Sequence, residues 1–366
     1  MQIPIFRGGG CVKKVKLGQL VSIQTGKLDA NAAVFGGKYP FFTTAKEISR
    51  INEYAYDGEV VLVAGNGDLN VKYYKGKFNA YQRTYILTSN SNVRMKYLYY
   101  FLDKYIEVLR YQSIGGVIKY IKLNNLSDAQ IPMRSIFEQD KIIGILEKLD
   151  NEIIIRSKQL SELSNLVKSR FNEMFGDFYT TLFPKYKIGE KFELSSGSTP
   201  SRDNKLYWDS GTINWVKTTE VINKEITETE EKITEFALEN TSLKLFPVNT
   251  ILIAMYGQGQ TRGRSAILKV ESTSNQACGA IFPNKIDNPV FIWHQLMLRY
   301  SELRELGRGG NQPNLNGQLI KNFELIFPPL SLQNEFADFV DQVDKSQFAC
   351  QMAIKLWRNS LKSSII

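Results

Sequence analysis

The sequence predicts an α+β protein built as an internal repeat, with two mixed α/β domains separated by two long helices. Five residues of one helix-patterned segment recur 194 positions later in another: Gln139, Asp150, Asn165, Lys168 and Ser169 match Gln333, Asp344, Asn359, Lys362 and Ser363. The two globular segments also begin alike, at a shift of 171: Leu17-Gly18 and Thr25-Gly26 match Ile188-Gly189 and Ser196-Gly197. Beyond these starts the globular segments diverge. This pattern indicates a common helical scaffold that carries two different domains.

The first long helix is predicted at residues 135–177 and the second at residues 329–366. The first follows Ile131-Pro132, and the second follows Phe327-Pro328-Pro329 and begins near Ser331. Proline disfavours helix in the residue before it but fits the first helical turn. The first helix is expected to end near Phe175-Gly176, because glycine commonly terminates helices.

Both helices carry apolar residues at spacings of three and four, which define a helix seam. The seam consists of Ile142, Leu146, Leu149, Ile153, Leu160, Leu163 and Val167, and of Phe336, Val340, Val343, Ile354, Trp357 and Leu361. Arg156 and Gln347 interrupt it. Seams sustained over about four heptads favour a coiled coil between the two helices. The alternative is that each helix packs only on its own domain.

The globular domains are predicted at residues 1–134 and 178–328. In the first, strands are expected at Glu59–Ala64, Gln82–Leu87 and Val117–Leu123, with a helix at Lys96–Arg110. The second repeats this order, with strands at Thr250–Ala254 and Ala277–Phe282 and a helix at Phe291–Leu306. Glycine-containing turns separate these elements, so each domain is expected to combine a sheet with a helix.

Charge favours a polyanionic partner. The 366 residues include 46 Lys and Arg against 37 Asp and Glu, which gives a net charge of +9 and a pI of about 9.2. The aromatic content of 12% suits strands and stacking surfaces equally and does not discriminate between them. An apolar content of 43% is sufficient for folded cores.

Catalytic and metal chemistry is not expected from this chain. The sequence has a lone histidine, His294, and three scattered cysteines, Cys11, Cys278 and Cys350. These residues supply no Ser/His/Asp or Cys/His arrangement and no metal-ligand cluster. The loop at 256–263 matches neither common nucleotide-phosphate pattern. We therefore predict no catalytic residue, no metal and no cofactor.

One segment has a partial likeness to a catalytic motif. Asn288-Pro289-Val290-Phe291 resembles the Asn/Asp-Pro-Pro-Tyr/Phe loop of amino-methyltransferases, but Val290 breaks the pattern. No glycine-rich cofactor-binding turn accompanies it. The sequence also shows no signal-peptide core and no apolar stretch of the roughly 18 residues that a membrane span needs. Together with the scattered cysteines, this predicts a cytoplasmic protein.

Polar loops after predicted strands are the candidate DNA contacts. Arginine pairs with guanine and Gln or Asn pairs with adenine in the major groove, whereas hydroxyls and backbone amides suit phosphates. The candidates are Asn66, Gln82, Arg83, Ser113, Gly115, Gly116 and Lys119 in the first domain, and Thr199, Ser201, Arg202, Gln258, Gln260, Thr261, Arg262, Arg264, Arg308, Asn311, Gln312 and Asn314 in the second. Residues Gln258 to Arg262 are expected to project from a glycine-flexed loop at a sheet end. Each loop taken alone is more often an ordinary turn, but they occur at matching places in both halves.

The ordered motifs of the chain resemble those of specificity (S) subunits of type I restriction-modification systems. In the second half these are 196–202, Tyr207-Trp208, 213–216, 256–263, Asn275-Gln276-Ala277, and Phe327-Pro328-Pro329-Leu330 with Gln333. In the first half, Ile131-Pro132 with Gln139 matches the junction between domain and helix, although Met133-Arg134-Ser135 replaces the usual proline-rich spacer. The resemblance covers nearly the whole chain.

The resemblance implies two target recognition domains held apart by two antiparallel helices. Each domain would read one half of a split double-stranded DNA target, and the helices would set the spacer between the halves. Methyltransferase (M) subunits, expected to number two, would bind the scaffold and bring restriction (R) subunits into the complex. The S subunit itself would bind no cofactor. Two alternatives are a free-standing bipartite DNA-binding protein on the same scaffold and a catalytic DNA methyltransferase.

Overall fold

The structure is a computed structural model that describes residues 12–257, 259–307 and 314–363, with the backbone alone at 362 and 363. Contacts divide the chain into two compact units. The first unit takes in the chain up to Lys158 together with the chain from Cys350 onward, and the second comprises Gln159–Ala349. Both units combine strands and helices, which confirms the predicted mixed class and the two-domain repeat.

Up to Gly176 the elements are β1 (Lys14–Lys16), β2 (Val21–Thr25), β3 (Tyr39–Phe42), β4 (Ser49–Ile51), β5 (Tyr56–Ala64), β6 (Val71–Ala80), β7 (Thr84–Ser89), α1 (Met95–Gln112), α2 (Leu123–Ser127), β8 (Gln130–Pro132) and α3 (Ile136–Phe175). From Lys185 they are β9 (Lys185–Lys187), α4 (Ile188–Lys191), β10 (Leu194–Ser196), β11 (Ile213–Val216), β12 (Glu225–Ile226), β13 (Glu231–Ile233), α5 (Glu235–Asn240), β14 (Ile251–Ala254), β15 (Ser265–Leu268), β16 (Ser272–Ser274), β17 (Cys278–Ile281), α6 (Pro289–Leu298), α7 (Tyr300–Glu305), α8 (Gly317–Asn322), β18 (Glu324–Ile326) and α9 (Leu330–Ser363). Short 3-10 helices lie at Leu17–Gln19, Ala30–Ala32, Lys205–Tyr207 and Thr218–Glu220.

The first unit is organised around a six-stranded sheet with the order β2-β7-β5-β6-β3-β4. Its pairs are antiparallel except β3 with β6, where Phe41 lies opposite Asn79. Strand β5 ends in a fully buried run from Val60 to Ala64, which is typical of a central strand covered on both faces. The apolar stripe of α1, including Leu98, Leu102 and Leu109, packs on this sheet.

The described strands of the second unit form three smaller sheets. The largest has the order β10-β17-β14-β15-β12, the next has the order β13-β11-β16, and β18 pairs with β9. Strands β14, β15 and β17 are buried along their whole length, so they form the centre of the unit. Helix α6 is also buried over most of its residues and joins the core that contains Phe291 and Leu296.

Local signals account for the ends of α3. Ser135 and Glu138 form a capping box, in which the Ser135 amide donates to Glu138 Oε2 at 3.0 Å and the Glu138 amide donates to Ser135 Oγ at 3.3 Å. The helix ends at Gly176, which has a φ of +74° and donates its amide to the Asn172 carbonyl at 2.9 Å. Both ends therefore lie where the sequence predicts them.

Three local predictions are wrong. Residues Val117–Leu123 form a loop with a bridge at Tyr120, and α2 already begins at Leu123. Gln82 lies in the turn between β6 and β7 rather than in a strand, because β7 starts at Thr84. The helix expected over Phe291–Leu306 is interrupted at Arg299 and forms α6 and α7.

All the helix-seam residues are buried or half-buried. In the second unit, Val167 belongs to the same apolar cluster as Phe336, Val340 and Val343, with Leu163 against it. The rings of Phe171 and Phe336 are 5.4 Å apart, and Gln347 Nε2 donates to Ser164 Oγ at 3.2 Å. Within this unit the two helices therefore contact one another with opposite chain directions. Phe336 also packs on Phe291 of its own domain. The seam residues of this unit therefore contact both the other long helix and the adjacent domain, and the two alternatives do not exclude each other.

Candidate nucleic-acid interface

In the first unit, backbone hydrogen bonds bring several predicted site residues into one group, the first loop cluster, which comprises 65–67, 81–83 and 113–121. The Gly65 amide donates to the Arg83 carbonyl at 2.8 Å, and the Ile121 amide donates to the Gly65 carbonyl at 2.9 Å. The Gly67 amide donates to the Lys119 carbonyl at 2.9 Å. Three loops that are distant in sequence thus meet at the end of β5.

The side chains of the first loop cluster are suited to contacts with nucleic acid. Gln82, Arg83 and Lys119 are exposed, and Asn66 is half-buried. Gly115 and Gly116 are exposed in the same loop as Lys119. The Ser113 hydroxyl instead donates to the Arg110 carbonyl at 2.6 Å, at the C-terminal end of α1. The surface therefore offers two side-chain amides, two cations and uncovered backbone from a single loop group.

The second unit repeats this framework in the second loop cluster, which comprises 255–257, 259–264, 275–277 and 314–315. The Met255 amide donates to the Ala277 carbonyl at 2.8 Å, and the Leu315 amide donates to the Met255 carbonyl at 2.9 Å. Met255 thus makes the same two connections as Gly65. Of the predicted residues here, Gln260 is exposed, and Thr261, Arg264 and Asn314 are half-buried.

Side chains of helix α7 contact residues 260 and 262 and hold this part of the loop in place. Tyr300 donates its hydroxyl to the Gln260 carbonyl at 2.7 Å, and Arg304 Nη1 donates to the Arg262 carbonyl at 3.1 Å. Arg264 Nη2 donates to Gln260 Oε1 at 2.8 Å. The loop is therefore preorganised by side chains of its own unit.

The structure corrects the expected position of Arg262. This side chain is 5% exposed and does not project from the loop, although the sequence predicts that it does. A glycine-rich segment indicates a loop but does not reveal that α7 and the chain near Gly307 lie against it. The exposed polar side chains of the described part of this loop are Tyr256 and Gln260.

Arg202 lies on an aromatic platform. Its guanidinium is 3.9 Å from the Trp208 ring centroid and 4.8 Å from that of Trp215, and it pairs with Glu231. The Arg202 guanidinium is the main cause that holds the pKa of Glu231 below its usual range. The arginine is thus fixed in place while its side chain stays exposed to solvent.

The segment that precedes Arg202 is anchored by the same tryptophans. Trp215 Nε1 donates to the Ser198 carbonyl and Trp208 Nε1 donates to the Ser201 carbonyl, both at 3.0 Å. The Thr199 hydroxyl donates to Gln276 Oε1. Beside this segment lies an open cleft of about 370 Å³ lined by Arg202, Lys205, Trp208, Asp209, Glu231 and Lys232.

Gln276 is a candidate contact that the sequence prediction missed. It is exposed in the second loop cluster and lies 194 positions after Gln82, which is exposed in the first. The repeat itself was the signal that could have identified it, because the same shift relates Gln139 to Gln333. The two glutamines are therefore equivalent candidates, one in each unit.

Four predicted contacts, Gln258, Arg308, Asn311 and Gln312, lie outside the described residues. In the part of the chain that is described, no group of three or more His, Cys, Asp or Glu side chains is placed to hold a metal ion. Nor is any described helix both long enough and apolar enough to cross a membrane.

Two curated relatives are similar to this chain in sequence. The EcoDI specificity subunit of Escherichia coli is 39% identical over 161 residues, which cover 44% of this chain and 36% of that subunit. The EcoR124I/EcoR124II specificity subunit of Escherichia coli is 25% identical over 288 residues, 74% of this chain and 68% of the relative. The match to EcoDI thus spans little more than a third of that protein.

Two solved structures share the fold. The S subunit of a type I restriction-modification system from M. genitalium superposes with a TM-score of 0.66 at 17% identity, over 97% of this chain and 96% of that chain. A chain solved in work on complex assembly and conformational transition of the type I R-M system gives a TM-score of 0.62 at 13% identity, over 96% of both chains.

Both halves of the sequence match the same protein family. The model of the type I restriction modification DNA specificity domain matches residues 11–165 and again residues 182–355. These two matches account for most of the chain and coincide with the internal repeat. The chain therefore belongs to the family of type I restriction modification DNA specificity domain proteins.

Proposed function

We propose that this chain is the DNA sequence-recognition subunit of a type I restriction-modification complex, in which each domain reads one half of a bipartite DNA target. The repeated framework of the loop clusters carries the proposal. Gly65 and Met255 make the same pair of backbone hydrogen bonds, but the side chains displayed around them differ. A common framework with different exposed side chains is what two recognition domains with different target sequences require.

The proposed recognition domains are residues 1–134 and 178–328, and the helices 135–177 and 329–366 join them as a spacer scaffold. The contacts between Phe171 and Phe336 and between Ser164 and Gln347 support an antiparallel coiled coil. Helix α3 has 40 residues and spans about 60 Å at 1.5 Å per residue. One turn of DNA is roughly 34 to 36 Å long, so a scaffold of this length can set the distance between two major-groove contacts.

The helices are the proposed docking surface for methyltransferase subunits, two per chain, with restriction subunits bound through them. Outside the seam, the first unit exposes Ile154 and Ile155 on α3 and Met352 and Leu356 on α9. Met352 and Leu356 lie one helical turn apart, on the same face. Exposed apolar side chains on helices that already bury another face are typical of a second interface.

We propose that the chain itself is not catalytic and that its partners perform methylation and cleavage. His294 is buried, and burial lowers the pKa of its imidazole to about 4. Cys278 is also buried, and burial raises the pKa of its thiol to about 12. Both groups are buried, and neither changes its protonation state near neutral pH. Neither is therefore suited to transfer protons or to attack a substrate. We also propose a cytoplasmic location, because the three cysteines of the sequence are scattered.

The test compares Gln82→Ala with Gln276→Ala in the chain coexpressed with its methyltransferase subunit. Methylated adenines in the host DNA are mapped by long-read sequencing. Each variant should relax one half-site and leave the other unchanged, and the two variants should affect different halves. The exposed Gln19→Ala, which lies outside both long helices and both loop clusters, is the control and should reproduce the wild-type map.

Other outcomes would contradict the proposal. If both variants altered the same half-site, or neither altered any, the domains would not read separate halves through these loops. Failure to copurify with a methyltransferase subunit, with specific DNA binding retained, would favour a free-standing DNA-binding protein. Binding of labelled S-adenosylmethionine by the isolated chain would favour a catalytic methyltransferase.

A further inference from the structure

The loop from Ile114 to Tyr120 in the first loop cluster is closed and shaped by its backbone. The Ile114 amide donates to the Tyr120 carbonyl at 3.0 Å, and the Tyr120 amide donates to the Ile114 carbonyl at 2.9 Å. Gly115 has a φ of +112°, and a Cβ atom there would lie 2.5 Å from the Ile118 carbonyl oxygen. Glycine is therefore required at the entry to this loop, and the closing hydrogen bonds define its tip.

The tip carries two solvent-exposed, β-branched apolar side chains. Val117 is 102% exposed and Ile118 is 62% exposed. Branching at Cβ restricts the rotamers of both residues, so little entropy is lost when they are held against a partner. The exposed Lys119 and Lys122 follow them along the chain. An apolar tip beside two cations fits a ligand that is itself negatively charged but offers apolar groups.

DNA is the ligand that the surroundings of the tip favour. The Lys119 carbonyl accepts a hydrogen bond from the amide of Gly67, which places the tip in the same cluster as the exposed Gln82 and Arg83. In the major groove the apolar group that a protein can recognise is the C5-methyl of thymine, which distinguishes A·T pairs from all others. Valine and isoleucine are suited to that contact, and the lysines are suited to the adjacent phosphates.

We propose that Val117 and Ile118 read thymine C5-methyl groups in the half-site of the first domain. The inference rests on the proposed function and names the base chemistry of one of its loops. At a shift of 194, Gly115-Gly116 matches Gly309-Gly310, and the positions of Val117 and Ile118 are occupied by Asn311 and Gln312 in the sequence. Asn and Gln pair with adenine through hydrogen bonds. The two repeats thus place methyl-reading and amide-reading residue types at the same sequence positions.

The experiment uses the complete complex with its methyltransferase subunits and duplexes that carry the mapped target. Each thymine of the first half-site is replaced in turn by deoxyuridine, which removes the C5-methyl alone. Wild-type binding should weaken about four-fold where a read methyl is lost, as expected for one buried apolar carbon. The double variant Val117→Ala with Ile118→Ala should bind the thymine and deoxyuridine duplexes equally.

Two controls isolate the effect. Phe35→Ala removes another fully exposed apolar side chain of the same unit and should retain the wild-type preference for thymine. Deoxyuridine in the second half-site should affect wild type and double variant alike. A double variant that kept the wild-type ratio of thymine to deoxyuridine binding would overturn the inference.

A different pattern would identify another role for the tip. If the double variant read DNA normally but no longer assembled with methyltransferase subunits, the tip would be a protein contact and the inference would be wrong. The proposed function is tested separately. It requires that Gln82→Ala and Gln276→Ala affect different half-sites, and that test does not involve Val117 or Ile118. The two failures can therefore be distinguished.

Discussion

The buried side chain of Gln139 joins the start of α3 to the start of α1 by accepting a hydrogen bond from the Arg94 amide at 2.9 Å. Its Nε2 donates to the Arg134 carbonyl, also at 2.9 Å. Gln333 repeats both contacts in the second unit, with the Asn288 amide at 2.8 Å and the Pro328 carbonyl at 2.9 Å. All three positions of each set are related by the shift of 194. The recurring glutamine is therefore a structural connector and not a DNA contact.

Replacing this connector should destabilise the unit that contains it. Gln139→Ala leaves the Arg94 amide and the Arg134 carbonyl without their side-chain partner, at a cost of about 2 to 4 kcal/mol for two half-buried groups. Thermal unfolding of the purified protein should show a lower midpoint for the affected transition. Gln351→Ala, on the exposed face of α9, should leave the midpoint within error. Equal midpoints for both variants would contradict the connector role.

Gly26 should tolerate no side chain. A Cβ atom on Gly26 would lie 2.2 Å from the Ala80 carbonyl oxygen, and one on Gly197 would lie 2.1 Å from the Ser274 carbonyl oxygen. The obstacle in each case is backbone, so Gly26→Ala and Gly197→Ala should each lower stability by several kcal/mol or prevent folding. Solubility and thermal unfolding of each variant report this directly.

Gly144 provides the opposite control. It lies inside α3, and a Cβ atom there would have no neighbour within 4 Å. Gly144→Ala should therefore stabilise the protein by about 0.5 to 1 kcal/mol, because alanine loses less backbone entropy in a helix. A destabilised Gly144→Ala variant would show that a neighbour lies against this position after all, and a wild-type-like Gly26→Ala variant would show that the Ala80 carbonyl is not as close as the structure places it.

The sequence predicts the elements whose signals are local. Ser135 and Glu138 mark the start of α3, and Gly176 marks its end. Each signal lies within a few residues of the helix end that it determines, and both ends are found as expected. Strand β6 was missed, because its residues alternate poorly and Gly76 interrupts them. Its place is determined by pairing with β5 along nearly its whole length, from Tyr56 with Phe78 to Val63 with Val71, and such partners cannot be read from one segment alone.

The candidate site shows the same limit. The sequence identifies which loops are polar, and the structure brings 65–67, 81–83 and 113–121 together. The sequence does not show which side chain of a loop faces inward. Arg262, which the structure buries, is the clearest example. The orientation of Arg262 depends on α7, whose Tyr300 and Arg304 contact the loop from about 40 positions away. Periodicity carries no information about such packing.

Acid should weaken the second unit through His294. Burial lowers the pKa of this imidazole from 6.5 to about 4, so between these values the unfolded chain binds a proton that the folded chain does not. The free energy of unfolding that depends on neutral, buried His294 is fully present above pH 6.5, and it is lost as the pH falls toward 4. A pKa difference of this size between the unfolded and folded states corresponds to a loss of about 3 kcal/mol of stability.

Two measurements check the role of His294. Because the sequence has a single histidine, its NMR titration can be assigned without ambiguity and should give a pKa far below 6.5. The variant His294→Phe, which keeps a ring beside Phe336, should lose the part of the pH dependence that lies between pH 6.5 and 4. An ordinary histidine pKa, or identical pH profiles for the variant and the wild type, would contradict the burial of this side chain.

Arg262 and Arg264 should respond oppositely to substitution, although they are two positions apart in one loop. Arg262→Ala removes a buried side chain at the base of the loop and should lower the stability of the second unit by about 2 kcal/mol through lost packing. Arg264 is half-buried and bonds Gln260, and it remains a predicted phosphate contact. Arg264→Ala should therefore leave the unfolding midpoint nearly unchanged, weaken binding to all DNA sequences, and reduce the slope of log affinity against log salt by about one. Unfolding scans and binding titrations between about 50 and 200 mM salt measure both effects. If Arg262→Ala unfolded like the wild type but lost specificity in the second half-site, Arg262 would be a base-reading residue after all, and the loop would have to open on DNA to expose it.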